Sequence, residues 1–180
     1  MIRSFLSLDL PENVKEEIVK IQDIIKKEDL FHGKYTEKEN LHLTLKFLGE
    51  IDEETVVKVK ETLEKVKVNS FEASITQVGV FSPEQVRIVW LKLDDADALQ
   101  KEIDHFLQDL FPKEQRFMGH ITIARVKKVF DKEKLIETLK KINLEKIQKQ
   151  KIKFDEFFLK KSILTTQGSL YSVIKKYNLN

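Results

Sequence analysis

The chain has 180 residues, a formal net charge of +2, 41% hydrophobic residues and no cysteine. That length and apolar content suffice for one domain of ordinary size. The missing cysteine excludes disulfides, thiol nucleophiles and cysteine-rich zinc sites, and it fits a reducing cytosol. The opening apolar stretch is too short for a secretory signal and no later run approaches membrane-spanning length, so the expectation is a cytoplasmic protein with no membrane partner.

Alternation predicts a first strand over residues 2–8, and Pro11 then opens a helix, because proline is tolerated in a first turn and Glu12 suits the positive end of the dipole. Val14, Ile18, Ile21 and Ile25 recur along it at helical spacing. Residues 31–40 are polar and contain Gly33, which predicts a loop carrying His32. The strand over 41–48, ended by Gly49, holds His42-Leu43-Thr44-Leu45. Asp52 caps a second helix reaching about residue 67, with Val56, Val59, Leu63 and Val66 as its apolar stripe. Phe71, Ala73 and Ile75 mark the next strand.

After a turn at Ser82-Pro83-Glu84-Gln85 the pattern restarts. A strand over 86–93 precedes a helix capped near Asp94 or Asp95, with Leu99, Ile103, Phe106 and Leu110 in register. The strand over 119–126 holds His120-Ile121-Thr122-Ile123, a helix from about Asp131 follows with Leu135, Leu139 and Ile142, and a strand covers 152–159. A hairpin of 157–165 and 170–177 turning at Gln167-Gly168 closes the chain.

Each half reads strand, helix, motif strand, helix, strand, and the two motif histidines fall in equivalent slots 78 positions apart. The expectation is an α+β fold of two lobes related by a pseudo-two-fold axis, with antiparallel sheets lining a central cleft and helices packed outside. Residues 1–80 and 81–180 then form one domain around a shared core.

A single His-x-Thr is a weak signal, since threonine is common in strands and a strand histidine is usually structural. Two copies in matching slots of a repeat carry far more. In a strand His42 lies beside Thr44 and His120 beside Thr122, with Leu43, Leu45, Ile121 and Ile123 turned to the core. A cleft between them would hold two imidazoles, able to serve as general acid and general base near neutral pH, and two hydroxyl donors for a phosphate.

The remaining polar candidates carry less. His32 and His105 lack the threonine and are read as structural, His32 in a loop that reaches toward the cleft and His105 at a surface or boundary position. No His-x-x-x-His or carboxylate cluster supplies further zinc ligands, so no metal or other cofactor is expected. Lys46 shares the His42 face by alternation, as a lesser candidate. Arg125 falls on the Ile121 and Ile123 side and reaches the site only if the strand ends or bulges near Ala124. Phe81, Trp90 and Tyr171 are read as core. Residues 126–153 hold ten lysines against four acids and are read as a solvated helix face with its flanks.

The chain resembles the 2H phosphoesterase superfamily, specifically the bacterial and archaeal RNA 2′,3′-cyclic phosphodiesterases formerly called 2′-5′ RNA ligases. The resemblance spans Arg3-Ser4-Phe5-Leu6-Ser7-Leu8-Asp9-Leu10-Pro11, Glu39-Asn40-Leu41-His42-Leu43-Thr44-Leu45-Lys46-Phe47-Leu48-Gly49-Glu50, Arg87-Ile88-Val89-Trp90-Leu91, Gly119-His120-Ile121-Thr122-Ile123-Ala124-Arg125 and Gly168-Ser169-Leu170-Tyr171. One departure is Gly119, where the family usually has proline. The resemblance implies a monomeric hydrolase that opens 2′,3′-cyclic phosphate ends of RNA or nucleotides to a 2′-phosphate, with a reversible 2′-5′ RNA ligase activity. It implies His42 as acid and His120 as base, Thr44 and Thr122 on the phosphate, and Arg125 as a phosphate contact; the pseudo-symmetry leaves the acid and base interchangeable on sequence alone. The alternative is a non-catalytic module that holds an RNA or nucleotide phosphate in the same groove.

Overall fold

The computed structural model describes residues 1–145, 151–166 and 168–180; Lys146 and Lys149 of the basic stretch and Gln167 of the final turn lie outside the described residues. The elements follow in the order β1 (Ile2–Asp9), α1 (Glu12–Lys27), β2 (Phe31–Tyr35), a 3₁₀ turn (Lys38–Asn40), β3 (His42–Ile51), α2 (Glu53–Leu63), β4 (Phe71–Val80), β5 (Ile88–Asp94), α3 (Asp97–Leu107), β6 (His120–Val129), α4 (Lys132–Glu145), β7 (Lys151–Phe154), β8 (Glu156–Leu164) and β9 (Ser169–Asn178). Among the described residues no helix is long and apolar enough to cross a membrane.

The strands form an antiparallel sheet in the order β7-β4-β5-β6-β3-β1-β8-β9, with β2 added on β6. The motif strands β3 and β6 meet at its centre, where Leu43 pairs with Ile121. Each sequence half lends its last strands to the other: β4 pairs with β5, and β8 pairs with β1. This exchange produces the two lobes. Residues 152–159, expected as one strand, split at Asp155 into β7 on one flank and β8 on the other. A single residue can join strands so far apart in the order only if the sheet curls until its ends approach. Asn180, beyond β9, closes that curl by bonding Val68 (2.9 Å) and accepting from Ser70 (2.8 Å) just ahead of β4.

The expected helices are present, and their apolar stripes form the core. Val14, Ile18, Ile21 and Ile25 of α1 are buried, as are Val56, Val59 and Leu63 of α2. The Asp52 side chain caps α2 by accepting from the Thr55 N–H at 2.7 Å. Helix α3 begins at Asp97, not at Asp94 or Asp95, because Asp95 turns into the left-handed region at φ 72°. It ends at Leu107, so Leu107 completes the stripe with Leu99 and Ile103 while Leu110 lies beyond the helix and is exposed.

Residues 31–40 correct the expected loop. They form β2 and the 3₁₀ turn, and Gly33 is required by packing, since a Cβ there would stand 2.3 Å from the Arg125 carbonyl oxygen. A strand glycine marking close backbone approach reads, in sequence, like a loop glycine.

Candidate active site

Strands β3 and β6 share one deviation from regular pleating. Against β1, Ser7 pairs with Thr44 but Leu6 with Lys46, so Leu45 is an extra residue. Against β5, Trp90 pairs with Thr122 but Val89 with Ala124, so Ile123 is extra. Each is a β-bulge at the same slot of its motif, and each turns two consecutive residues inward before alternation resumes. Leu45 with Lys46, and Ile123 with Ala124, are buried. The next residues, Phe47 and Arg125, therefore return to the cleft face. This meets the condition set for Arg125 and reverses the expectation for Lys46, whose amine points into the helix layer and pairs with Asp104.

The β6 bulge is held from below. Gln22, 2% exposed on α1, donates to the Ile123 carbonyl at 2.8 Å and to the Thr36 carbonyl at 2.9 Å, and the Thr36 N–H also reaches Ile123 at 3.0 Å. A carbonyl displaced from the ladder thus keeps its partners.

The concave side of the curled sheet forms a cleft of about 740 Å³ lined by His42, Thr44, His120, Thr122, Arg125 and Tyr171 among others. Its volume is in the range of sites for nucleotide-sized ligands. None of the lysines of residues 126–141 or 151–153 lines it, and those of α4 are exposed on the outer face. His32 lies exposed on β2 outside the cleft, and His105 is exposed on α3 against Phe106. Among the described residues no three His, Cys, Asp or Glu side chains are grouped as metal ligands would be.

Both motif histidines are oriented by the backbone two residues earlier. His42 Nδ1 is 2.7 Å from the Asn40 carbonyl and His120 Nδ1 is 2.8 Å from the Met118 carbonyl. A carbonyl only accepts, so each ring carries its proton on Nδ1 and has Nε2 as its acceptor edge. His42 Nε2 lies 3.1 Å from Thr44 Oγ1, whose hydroxyl donates to the neutral ring. Gly119, between Met118 and His120, packs so closely that a Cβ would stand 2.3 Å from the Leu93 carbonyl oxygen.

The walls differ. His42 sits between Phe5, at a ring-centroid distance of 5.1 Å, and Tyr171, edge-on at 5.2 Å. His120 meets Phe81 edge-on at 5.0 Å, and Phe81 packs on Trp90. Of the three aromatics read as core, only Trp90 is buried; Phe81 is 53% exposed and Tyr171 lines the cleft. Burial pushes the His42 imidazolium down to about 4; the Asn40 carbonyl opposes this, the Lys160 ammonium adds to it, the Asp9 carboxylate opposes and Arg125 adds. Lys160 holds both Asp9 oxygens, at 2.5 and 2.6 Å.

The backbone brackets at Asn40 and Met118 had no side-chain signature. The aromatic walls were visible only as aromatic residues of unassigned face.

Comparison with known proteins matches this architecture. A Methanocaldococcus jannaschii protein named RNA 2′,3′-cyclic phosphodiesterase is 39% identical over 98% of this chain and 100% of its own length. A Thermotoga maritima protein of the same name is 34% identical over 96% of this chain and 93% of its own. Among solved structures, a Thermus thermophilus protein superposes with a TM-score of 0.81 at 23% identity, covering 99% of this chain and 98% of that one. Escherichia coli LigT in apo form superposes at 0.77 and 20% identity, covering 99% and 97%. The model of the LigT-like phosphoesterases matches residues 8–90 and 92–171, and with these relatives it shows that the chain belongs to that family, within the 2H phosphoesterase superfamily.

Proposed function

We propose that the protein hydrolyses 2′,3′-cyclic phosphate ends of RNA or nucleotides to 2′-phosphates, with His42 and His120 as its acid and base. One observation carries the reading: two bulged strands, each with a carbonyl-bracketed histidine, bring their Nε2 edges and a threonine apiece to one cleft. The names of relatives at 39% and 34% identity support the substrate.

In this reaction His120 Nε2 takes a proton from water as the water oxygen bonds to phosphorus. The P–O3′ bond breaks, and His42 Nε2–H protonates the departing 3′ oxygen, leaving a 2′-phosphate monoester. The two rings finish with protonation exchanged and reset through solvent. Thr44, Thr122 and Arg125 donate to the non-bridging oxygens, where charge grows in the transition state. The balance closes without a metal ion. Burial keeps His42 neutral in the empty site, so the arriving phosphate anion supplies the counter-charge that favours its acid form, and substrate binding is linked to proton uptake. A 5′-hydroxyl in place of water would give a 2′-5′ linkage, and cleavage of that linkage back to the cyclic phosphate would exchange the two roles. The cleft is complete within one chain, which supports activity as a monomer.

The test is turnover of a nucleoside 2′,3′-cyclic phosphate in EDTA, with the product identified by ³¹P NMR. Full turnover by His42→Ala or His120→Ala would sink the two-histidine mechanism, and loss of turnover in EDTA would sink its independence of metal. Tight binding with no turnover would leave a phosphate-holding module instead.

A further inference from the structure

Lys46 is 5% exposed at the β3 bulge, in the slot that Ala124 occupies on β6. Its Nζ donates to Asp104 Oδ1 at 2.5 Å and to the Pro112 carbonyl at 2.7 Å. Asp104, 6% exposed on α3, also accepts at Oδ2 from Gln100 Nε2 at 2.7 Å and from the Glu114 N–H at 2.8 Å. Burial alone would raise the Asp104 carboxyl; the bonds from Lys46, the Glu114 N–H and Gln100 hold it below its usual range. Replacing such a pair by apolar side chains is often neutral or stabilising, so stability is a weak reason for a buried lysine here.

The partners suggest another reason. Pro112 and Glu114 belong to the irregular segment 108–119 between α3 and β6, which also holds Met118, whose carbonyl brackets His120. The corresponding bracket at His42 is secured without that pair: the Asn40 N–H bonds the Glu37 carbonyl at 2.9 Å and Asn40 Nδ2 bonds the Ser169 carbonyl at 3.0 Å. His120 has no 3₁₀ turn ahead of it. Its segment is tied by the Leu107 carbonyl at one end, by the Gly119 carbonyl accepting from the Leu93 N–H at 2.9 Å at the other, and by Lys46 and Asp104 between.

We propose that the Lys46–Asp104 pair is a positioning device through which the first motif strand sets the orientation of the second motif's histidine. Lys46 and Asp104 touch no substrate; they act through Pro112, Glu114 and Met118 on the His120 ring. The proposal rests on the reading of His120 as a catalytic group, and His120→Ala tests that reading separately.

The experiment compares Lys46→Met/Asp104→Leu, which removes both charges together, with a Gly-Gly insertion after the exposed Gln115, which keeps the pair but disconnects it from Met118. Both are expected to keep Tm near that of the wild type and to lose about tenfold or more in kcat with KM little changed, as a small misplacement of a catalytic group does. In the free protein the ¹⁵N signals of His120 should move toward mixed tautomers while those of His42 stay unchanged. This readout needs no turnover and stands even if His120 proves dispensable. Wild-type kcat and wild-type His120 signals in either folded variant would overturn the proposal. If the double variant fails to fold, the insertion variant decides.

Discussion

The two arms of the cleft use one backbone device and dress it differently. Both carry the bulge after His-x-Thr, both bracket Nδ1 with the carbonyl two residues back, and both turn the fifth residue beyond the histidine onto the cleft face. On the first arm that residue is Phe47, the histidine lies between Phe5 and Tyr171, and its Nε2 meets Thr44. On the second it is Arg125, the histidine meets the half-exposed Phe81, and among the described residues no side chain bonds its Nε2. Across the strand pair His42 faces Asp9, tied to Lys160, whereas His120 faces Lys92, tied to Asp94 at 2.7 Å. The backbone geometry is equal on the two arms; in the mechanism proposed above, asymmetry in the side chains is what lets two equal rings take opposite parts.

The strongest way to break this comparison is to remove one ring at a time. Each histidine-to-alanine change should lower kcat by about 10²–10⁴-fold on an ordinary cyclic phosphate. On a substrate with sulfur at the 3′ position, whose thiolate departs without a proton, the His42→Ala deficit should shrink to within about tenfold while that of His120→Ala persists. The opposite pattern would reverse the roles.

Arg125→Ala should lower kcat/KM by about tenfold to a hundredfold, the worth of a charge-assisted hydrogen bond. Phe47→Ala, at the matching slot, should cost less than about tenfold, since an apolar ring offers no such bond. Equal losses would mean that the two slots serve alike.

The pH profile sharpens the electrostatic half of the comparison. With its value lowered to about 4, His42 takes up a proton in the free enzyme only below that pH; there both rings are charged and neither can act as base, so the acid limb of kcat/KM, which reports the free enzyme, should fall near pH 4. At pH 5 the rate should stay within about twofold of its pH 6.5 value, where an ordinary imidazole would cut it about fifteenfold. The limb of kcat, which reports the complex, should lie higher because bound phosphate favours the charged ring. Coincident limbs near pH 6.5 would show His42 unperturbed.

The smallest expected effect lies under the second bulge. Gln22→Leu removes the donor to Ile123 and Thr36 and should cost about 1–3 kcal/mol in chemical denaturation. A modest loss of activity should follow as Arg125 shifts. An unchanged midpoint would mean that the Thr36 N–H alone holds the bulge.

Alternation in the sequence placed His42 with Thr44, and His120 with Thr122, on single strand faces, and the repeat implied that the faces share a cleft. Neither bulge could be read, because Leu45-Lys46 and Ile123-Ala124 carry no glycine or proline to mark a slipped register; strict alternation therefore put Lys46 on the wrong face and left Arg125 conditional on a bulge. Gly33 hid β2 for the opposite reason, being a familiar loop residue used inside a strand. The exchange of strands at Asp155 was equally silent, since a one-residue break looks like continuity until both partners are known. Element types followed local pattern, and the misreadings fell where distant backbone contacts decided the outcome.

That exchange limits how the molecule can be divided. Residues 1–80 alone would carry β4 without β5 and would leave the β8 edge of β1 bare; the remainder would hold β8 and β9 with no β1 to dock on. A gene cut at the repeat boundary should yield two fragments that aggregate when made singly and recover a fold only when made together. The halves are free to diverge in sequence but not to part company.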